Sequence, residues 1–416
     1  MRVLILGNGA REHTVAWKFS RSRRLGGLFV APGNAGTAEI ATNLSDLDIT
    51  DPDAVSRACA HRDIDFVFVG GEEPLAAGVV DRLEEDGIEA FGPTREVARL
   101  ESSKAFAKQF MERHGLATST ARTFTDYSAF ENFVRENPGQ HVLKKSGLAG
   151  GKGVLESDDP EELLGFGKEV LEDDTLIVEE YLSGFEVSVF ALTDGRNYRV
   201  LPICSDYKKS GEGNTGRNTG GMGSLCPAPW VDSATWDQIE REIVAPTFEG
   251  LHEDGLGYRG VLYFGLMVDE EGPKILEFNV RFGDPETQAV LPLITADLGT
   301  VCEAIFQGDL PTVPLHISDQ SSVAVVVASD GYPGPYRKGV PVHALPSATG
   351  EETFLFHAAT YRDNALVHTG GGRCFTAVGL GRDVLEARNR AYSLAKEIKF
   401  DGAWYRPDIG ARVFEQ

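Results

Sequence analysis

Apolar residues in the first hundred positions fall in short runs separated by glycine-rich turns. Residues 2–6 form one run, ending in Gly7-Asn8-Gly9, and the amphipathic pattern of 11–20 predicts a helix after it. A second run, 28–31, enters Pro32-Gly33-Asn34-Ala35-Gly36-Thr37. A third, 64–69, enters Gly70-Gly71-Glu72-Glu73-Pro74, ahead of a helix predicted over 74–86 and a further strand before Gly92-Pro93. Apolar strands alternating with helices predict an open, mostly parallel sheet with ligand sites at the carboxyl ends of its strands. The turns at 7–9, 33–36 and 70–71 then open on one edge.

Beyond residue 101 the pattern changes. A helix over 102–114, closed by Gly115, carries Lys104 and Lys108 one turn apart. Strand 141–145 leads into Ser146-Gly147-Leu148-Ala149-Gly150-Gly151-Lys152-Gly153, and a strand resumes at Val154. Strand 175–182, with Val178-Glu179-Glu180-Tyr181, is expected to pair in a hairpin with 184–191, which carries Glu186. Residues 206–223, DYKKSGEGNTGRNTGGMG, hold too little apolar surface for a structural element and read as a functional loop. Residues 260–286 read as a hairpin turning at 269–272. Alternate side chains of a strand share a face, so Glu277, Asn279 and Arg281 stand in a row. In the last hundred residues an apolar strand (321–329), a turn (331–334), strands near 341–345, 353–357 and 374–380, and a helix over 384–398 predict a small mixed sheet. Thr369-Gly370-Gly371-Gly372-Arg373 is either a loop near substrate or a plain β-turn.

Length and charge narrow the function. The 416 residues suffice for two to four domains, and 42% hydrophobic with 25% charged residues is ordinary for a soluble protein. A net charge of −23 argues against nucleic acid or an anionic membrane as partner. Five scattered cysteines with no CxxC spacing read as reduced thiols of a cytoplasmic protein. The amino terminus turns polar after six residues, unlike a signal peptide, and no apolar run approaches a membrane span.

The turns carry the candidate chemistry. Gly7-x-Gly9-x-x-Glu12 lacks the third glycine of the dinucleotide fingerprint, and strand 28–31 does not end in an acid. A nicotinamide site is disfavoured, whereas a phosphate site with Arg11 is retained. The glycine loop at 147–153 joins two strands and is no Walker motif; its glycines admit phosphate oxygens, with Lys144 and Lys152 adding charge, and a flexible hairpin is the alternative. Glu277 and Asn279 are hard oxygen donors suited to Mg²⁺, unless they only line a wet strand face.

Lys144 ahead of Gly147–Gly153, Val178-Glu179-Glu180 and Glu277-x-Asn279 together resemble the ATP-grasp superfamily. Gly7-Asn8-Gly9-x-Arg11-Glu12-His13, Ala31-Pro32-Gly33-Asn34-Ala35-Gly36-Thr37, Asn218-Thr219-Gly220-Gly221-Met222-Gly223 and Glu277-Phe278-Asn279-x-Arg281-Phe282-Gly283-Asp284-Pro285-Glu286-Thr287 resemble, more narrowly, the phosphoribosylamine–glycine ligase family, in order from residue 1 to about 410. The resemblance implies a multidomain α/β protein. Its parts would be an open parallel-sheet N-terminal domain (1–101), an ATP-grasp domain (102–312, lid subdomain 117–190) and a small mixed-sheet C-terminal domain (313–416). It implies an ATP-dependent ligase that makes glycinamide ribonucleotide from 5-phosphoribosylamine and glycine, by way of a glycyl phosphate, in purine synthesis. ATP would meet Lys104, Lys144, Gly147, Gly150, Gly151, Lys152, Gly153, Glu179, Glu180, Tyr181 and Glu186, and Mg²⁺ or Mn²⁺ would meet Glu277 and Asn279. Phosphoribosylamine would meet Asn8, Gly9, Arg11, Glu12, Gly33, Asn34, Gly36 and Glu72, with Asp206, Asn218, Thr219, Gly220 and Gly221. Arg281, Lys208 and Asp284 are the implied catalytic groups. The partners would be small molecules only, and the chain a monomer or weak homodimer. Gly71, Lys145, Ser146, Tyr207, Lys209, Arg217 and a short 167–175 connection depart from the family pattern.

Overall fold

The computed structural model describes residues 1–149, 153–346 and 350–414. Five parallel strands build the N-terminal sheet, in the order Thr42–Asn43, Gly27–Pro32, Arg2–Gly7, Phe66–Val69, Glu89–Phe91. Its central strands are buried on both faces, as their unbroken apolar composition requires. The strand order reverses between Arg2–Gly7 and Phe66–Val69, so the turns leaving these two strands flank the switch point where open sheets bind ligands. The helix expected over 74–86 is two helices, Glu72–Ala77 and Val79–Glu85. Gly78 breaks them at φ +86°, and a β-carbon there would lie 2.6 Å from the Arg95 guanidinium.

Two antiparallel sheets follow. The smaller orders Ala121–Phe124, Leu176–Glu180, His141–Lys145 and Val154–Ser157, and packs Leu143, Leu176 and Val178 against the helices Tyr127–Glu136 and Pro160–Val170. The larger orders Tyr198–Val200, Phe185–Asp194, Arg259–Asp269 and Gly272–Asn279. The hairpin expected between 175–182 and 184–191 does not form, because these strands belong to different sheets. Between them the chain crosses at Gly184, at φ +149°, where a β-carbon would meet the Val268 carbonyl at 2.3 Å. Charged Glu179-Glu180 and apolar 187–192 have no common face to pair, and the crossing leaves a cleft between the sheets.

The stretch 206–223, expected to be a loop, contains a hairpin of Lys209–Gly211 with Thr215–Asn218, held by backbone pairing across a register shift. We refer to it as the flap. The strands on either side of it, Ser205–Asp206 and Gly223–Cys226, join Ser321–Ser329, Arg373–Gly381 and Thr353–His357 in the C-terminal sheet, with Ala403–Trp404 also on Ser321–Ser329. Each of these ladders is antiparallel, which refines the mixed sheet expected there, and two of the strands precede residue 227. Helix Val384–Glu397 covers one face through Ala387, Ala391 and Leu394. A second hairpin, Thr360–Asp363 with Leu366–Thr369, had no clear alternation in the sequence. Phe282 stacks on Phe91, which stacks on Phe68, so aromatic packing fixes the turn after the long hairpin against the N-terminal sheet.

Candidate active site

A cavity of about 1230 Å³ lies among the N-terminal sheet edge, the two antiparallel sheets and the flap. Its floor is the strand Gly272–Asn279. Gly265 faces Glu277 and Leu266 faces Ile275, so Leu276 is an extra residue in the ladder. A bulge of this kind re-aims side chains and frees a backbone group. Here the Leu276 carbonyl accepts from Lys144 Nζ at 3.1 Å, and Glu277 and Asn279 both face the cavity. Burial pushes the Glu277 carboxyl up, but the charges of Lys208, Lys144, Lys104 and Arg281 outweigh it and hold the group down at about 2. Glu277 is therefore ionised at neutral pH.

Arg281 is committed to the protein. Its Nη2 reaches Glu101 Oε1 at 2.7 Å and donates to Asn279 Oδ1 at 3.2 Å, and Nη1 donates to the Phe282 carbonyl at 3.1 Å. Its Nε lies 3.4 Å from Glu72 Oε2, an ionic contact outside hydrogen-bond geometry. The Arg281 charge is the main cause holding Glu72 down at about 2, whereas burial lifts Glu101 to about 6. Arg281 thus fixes the orientation of the Asn279 amide by donating to its oxygen. Lys208 Nζ sits 3.7 Å from both Glu186 Oε1 and Glu277 Oε1. Among the described residues no three His, Cys, Asp or Glu side chains cluster as a metal cage. One ionised carboxylate and one oriented amide oxygen suit a cation that takes its other ligands from phosphate and water, which is the habit of Mg²⁺.

One end of the cavity is lysine-rich. Lys144 Nζ pairs with Glu179 Oε2 at 2.8 Å and Lys108 Nζ with Glu179 Oε1 at 3.2 Å, while Ser119 Oγ donates to Oε2 at 2.7 Å. Lys104 Nζ lies 3.4 Å from the Gly147 carbonyl. Successive strand residues face opposite ways, so Glu180 turns from this network and accepts from the Thr120 amide at 3.0 Å. Tyr181 is exposed at the cavity rim. Gly147 donates its amide to Asp174, and the Gly153 carbonyl accepts from Lys145. Gly150, Gly151 and Lys152 lie outside the described residues. Lys108 was not among the expected site residues; its spacing from Lys104, one helical turn, was the available signal. Burial brings its ammonium down to about 8.

The opposite end departs from expectation. Asn8, Gly9, Arg11, Glu12, Glu72, Asp206, Asn218, Thr219 and Gly220 line the cavity, but Gly33, Asn34, Gly36 and Gly221 do not. Asn34 is buried and its amide donates to the carbonyls of Asn8, Gly9 and His357, so it ties the first turn to the C-terminal sheet. A β-carbon at Gly33 would meet Asn43 at 2.5 Å, at Gly36 it would meet His13 at 2.2 Å, and at Gly221 it would meet Pro285 at 2.3 Å. Packing explains these residues. The same holds for Gly7 and Gly70, where β-carbons would meet Glu12 at 2.5 and 2.3 Å. Glu12 accepts from the Gly9 amide at 2.7 Å and from Arg11 Nε at 2.5 Å. Asp284 Oδ2 accepts from the Arg11 amide at 3.3 Å, so two carboxylates already occupy the N-terminus of helix Ala10–Ser20. Arg373, unmarked in the sequence by anything beyond its glycine-rich neighbours, reaches this end from the C-terminal sheet and pairs with Asp284 Oδ1 at 3.2 Å. Burial raises the Asp284 carboxyl, but Arg373 and Arg11 outweigh it and keep the group below its usual range.

The flap closes toward the small sheet. Lys209 Nζ and Asn218 Nδ2 reach the two Glu156 oxygens at 3.1 and 3.3 Å. Tyr207 is buried, accepts from the Gly410 amide at 3.0 Å, and carries the Arg406 guanidinium 5.3 Å above its ring.

Comparison with known proteins matches three consecutive phosphoribosylglycinamide synthetase family models: the N domain over residues 1–101, the ATP-grasp (A) domain over 102–287 and the C domain over 322–412. The phosphoribosylamine–glycine ligase of Chlorobaculum tepidum is 42% identical, covering 99% of this chain and 100% of the relative. The trifunctional purine biosynthetic protein adenosine-3 of Bos taurus is 44% identical over 99% of this chain, which spans 42% of that longer protein. Among solved structures, the phosphoribosylamine–glycine ligase of Thermotoga maritima superposes with a TM-score of 0.85 at 34% identity, covering 98% of this chain and 100% of that one. A biotin carboxylase from Campylobacter jejuni shares the fold at a TM-score of 0.74 and 16% identity, covering 100% of this chain and 95% of that one.

Proposed function

The chain belongs to the phosphoribosylglycinamide synthetase family, and we propose that it joins 5-phosphoribosylamine to glycine with consumption of ATP, giving glycinamide ribonucleotide, ADP and phosphate. The observation that carries this reading is the meeting, in one cavity, of three elements: the lysine end (Lys104, Lys108, Lys144), the ionised Glu277 with the oriented Asn279, and the Asp284 turn against the first domain. In this reading ATP is held with its phosphates between Lys104 and Lys144, and adenine and ribose rest near Glu179–Tyr181 and Glu186. Glu277 and Asn279 hold the divalent cation, Mg²⁺ or Mn²⁺, which when bound neutralises and orients the polyphosphate.

The chemistry asks for positioning and charge neutralisation rather than a protein nucleophile. Glycine carboxylate displaces ADP from the γ-phosphorus to form glycyl phosphate, and the amine of phosphoribosylamine then expels phosphate from the acyl carbon. Lys208, between Glu186 and Glu277, is placed to offset charge on the transferred phosphoryl group. Arg281 acts through Asn279 and Glu72, as a positioning residue. The five cysteines are free and buried, and among the described residues no helix is long and apolar enough to cross a membrane. The test is ADP release by the purified protein with ATP, Mg²⁺, glycine and freshly made phosphoribosylamine. Dependence on both acceptors is expected; release indifferent to glycine sinks the reading.

A further inference from the structure

The helix N-terminus that follows Gly7-Asn8-Gly9 is the obvious berth for the phosphate of a phosphosugar. It is already taken, since Glu12 holds the Gly9 amide and Asp284 the Arg11 amide, and a phosphate there would face two carboxylates. Most other cavity cations are committed as well. Lys108 and Lys144 pair with Glu179, Lys208 lies between Glu186 and Glu277, Lys209 pairs with Glu156, and Arg281 pairs with Glu101.

Arg373 differs. Among the described residues its side-chain hydrogen bonds and ion pair converge on a single nitrogen, Nη1: the Gly220 carbonyl at 2.6 Å, the Gly221 carbonyl at 3.2 Å, the Asp284 carbonyl at 2.7 Å and Asp284 Oδ1 at 3.2 Å. Its Nη2 and Nε have no partner among the described residues, and neither is among the buried unpaired atoms. The guanidinium lines the cavity beside Thr219 and Gly220, and Arg412 lines the same cavity. Residue 220 is a glycine where a β-carbon would stand 3.1 Å from Arg373 Cζ and 3.2 Å from Nη2. The missing side chain leaves that edge of the fork uncovered. A guanidinium anchored through one nitrogen, with two adjacent N–H groups facing a cavity, has the geometry for bidentate capture of a phosphate.

The geometry points to Arg373 as the phosphate-binding residue of the phosphosugar subsite, with the flap turn at Thr219–Gly220 as its wall and the N-terminal helix excluded from that role. This rests on the ligase reading above and names the part of the cavity that takes the phosphate. Ribose 5-phosphate and ribose, which differ only by the phosphate, are compared as inhibitors of ADP release by wild type and Arg373→Gln. Loss of one charged hydrogen-bonding group should weaken ribose 5-phosphate on the order of 50-fold, leave ribose unchanged, and leave the KM values for ATP and glycine within about twofold of wild type. An equal loss for both sugars, or no loss for ribose 5-phosphate, overturns the assignment. If Arg373→Gln does not fold, Arg373→Lys and Gly220→Ala carry the same comparison, again with a loss selective for the phosphorylated sugar. Wild-type protein that releases no ADP with both acceptors present sinks the ligase reading instead, and calorimetric titration with ribose 5-phosphate then decides the phosphate site on its own.

Discussion

Glu179 offers the sharpest quantitative test of the network under the lysine end. It is buried and ionised, accepting at 2.8 Å from Lys144, 3.2 Å from Lys108 and 2.7 Å from Ser119. Burial opposes its charge, and Lys144 and Lys108 overcome that, holding its carboxyl below the usual range. Glu179→Gln keeps the shape and the Ser119 contact but removes the carboxylate that pairs with both ammonium groups, leaving in a largely buried site only the more distant charges of Glu277 and Glu180. Breaking a buried pair from one side costs about 3–5 kcal/mol, and we take the lower end because Lys144 keeps the Leu276 carbonyl. With a urea slope of about 3 kcal/mol/M, the midpoint should fall by about 1 M. Lys108 gives the sign of the pH effect. Its folded pKa, about 8, already lies under the ordinary lysine value of 10.5 because of burial, and removing Glu179 lowers it further. Between the variant's lowered value and about 8 the variant gains stability with pH while wild type does not, so the deficit of Glu179→Gln should shrink as pH rises toward about 8 and stay level above it. Adding Lys108→Met removes one of the stranded charges and should restore about half of the loss, read from a double-mutant cycle. A Glu179→Gln midpoint within about 0.2 M of wild type, or a deficit that grows with pH, would refute the buried-network account.

Three further outcomes are expected. Glu277→Ala should lower ADP release by on the order of 100-fold or more while circular dichroism and the urea midpoint stay near wild type; full activity removes the cation assignment. Asn34→Ala unlinks the carbonyls of Asn8, Gly9 and the buried His357 and should cost about 2 kcal/mol of stability with little change in KM for any substrate, measured by urea unfolding beside steady-state kinetics. His13 and His357 are buried together, with the His357 amide donating to His13 Nδ1 at 2.9 Å; burial above all holds their pKa values at about 3 and about 4, below the 6.5 of the unfolded chain. The unfolded state therefore binds more protons between 6.5 and these values, and stability should fall on acidification below pH 6.5, by up to about 1.4 kcal/mol per pH unit for each histidine. His357→Gln should flatten that acid limb, and an unchanged limb counts against it.

Much of the fold was legible because the sequence signals were local. Unbroken apolar strands alternating with helices specified the parallel N-terminal sheet, and strict alternation set Glu277, Asn279 and Arg281 on one face. Glycines posed the harder problem. Those at 33, 36 and 221 were expected to meet phosphoribosylamine, yet a β-carbon at each would run into Asn43, His13 or Pro285. A sequence cannot distinguish a glycine that admits a ligand from one that admits a neighbour, since both need only the missing side chain. The flap hairpin was hidden because polar, glycine-rich strands pair through the backbone alone.

The sequence alone carried the set of chemistries available: lysines near a glycine loop and an oxygen-donor pair on a strand. Its short-range periodicities carry that information through bond geometry. Folding then settled which of those groups are already spent. Arg281 is committed to Glu101 and Asn279, Glu12 and Asp284 fill the helix N-terminus, and Lys108 joins Lys144 on Glu179. Arg373, some ninety residues beyond Asp284 in the chain, becomes its neighbour when the C-terminal sheet closes on the cavity. Pairing between charges depends on distance in space, and residues that far apart in sequence acquire a distance only when the chain has folded.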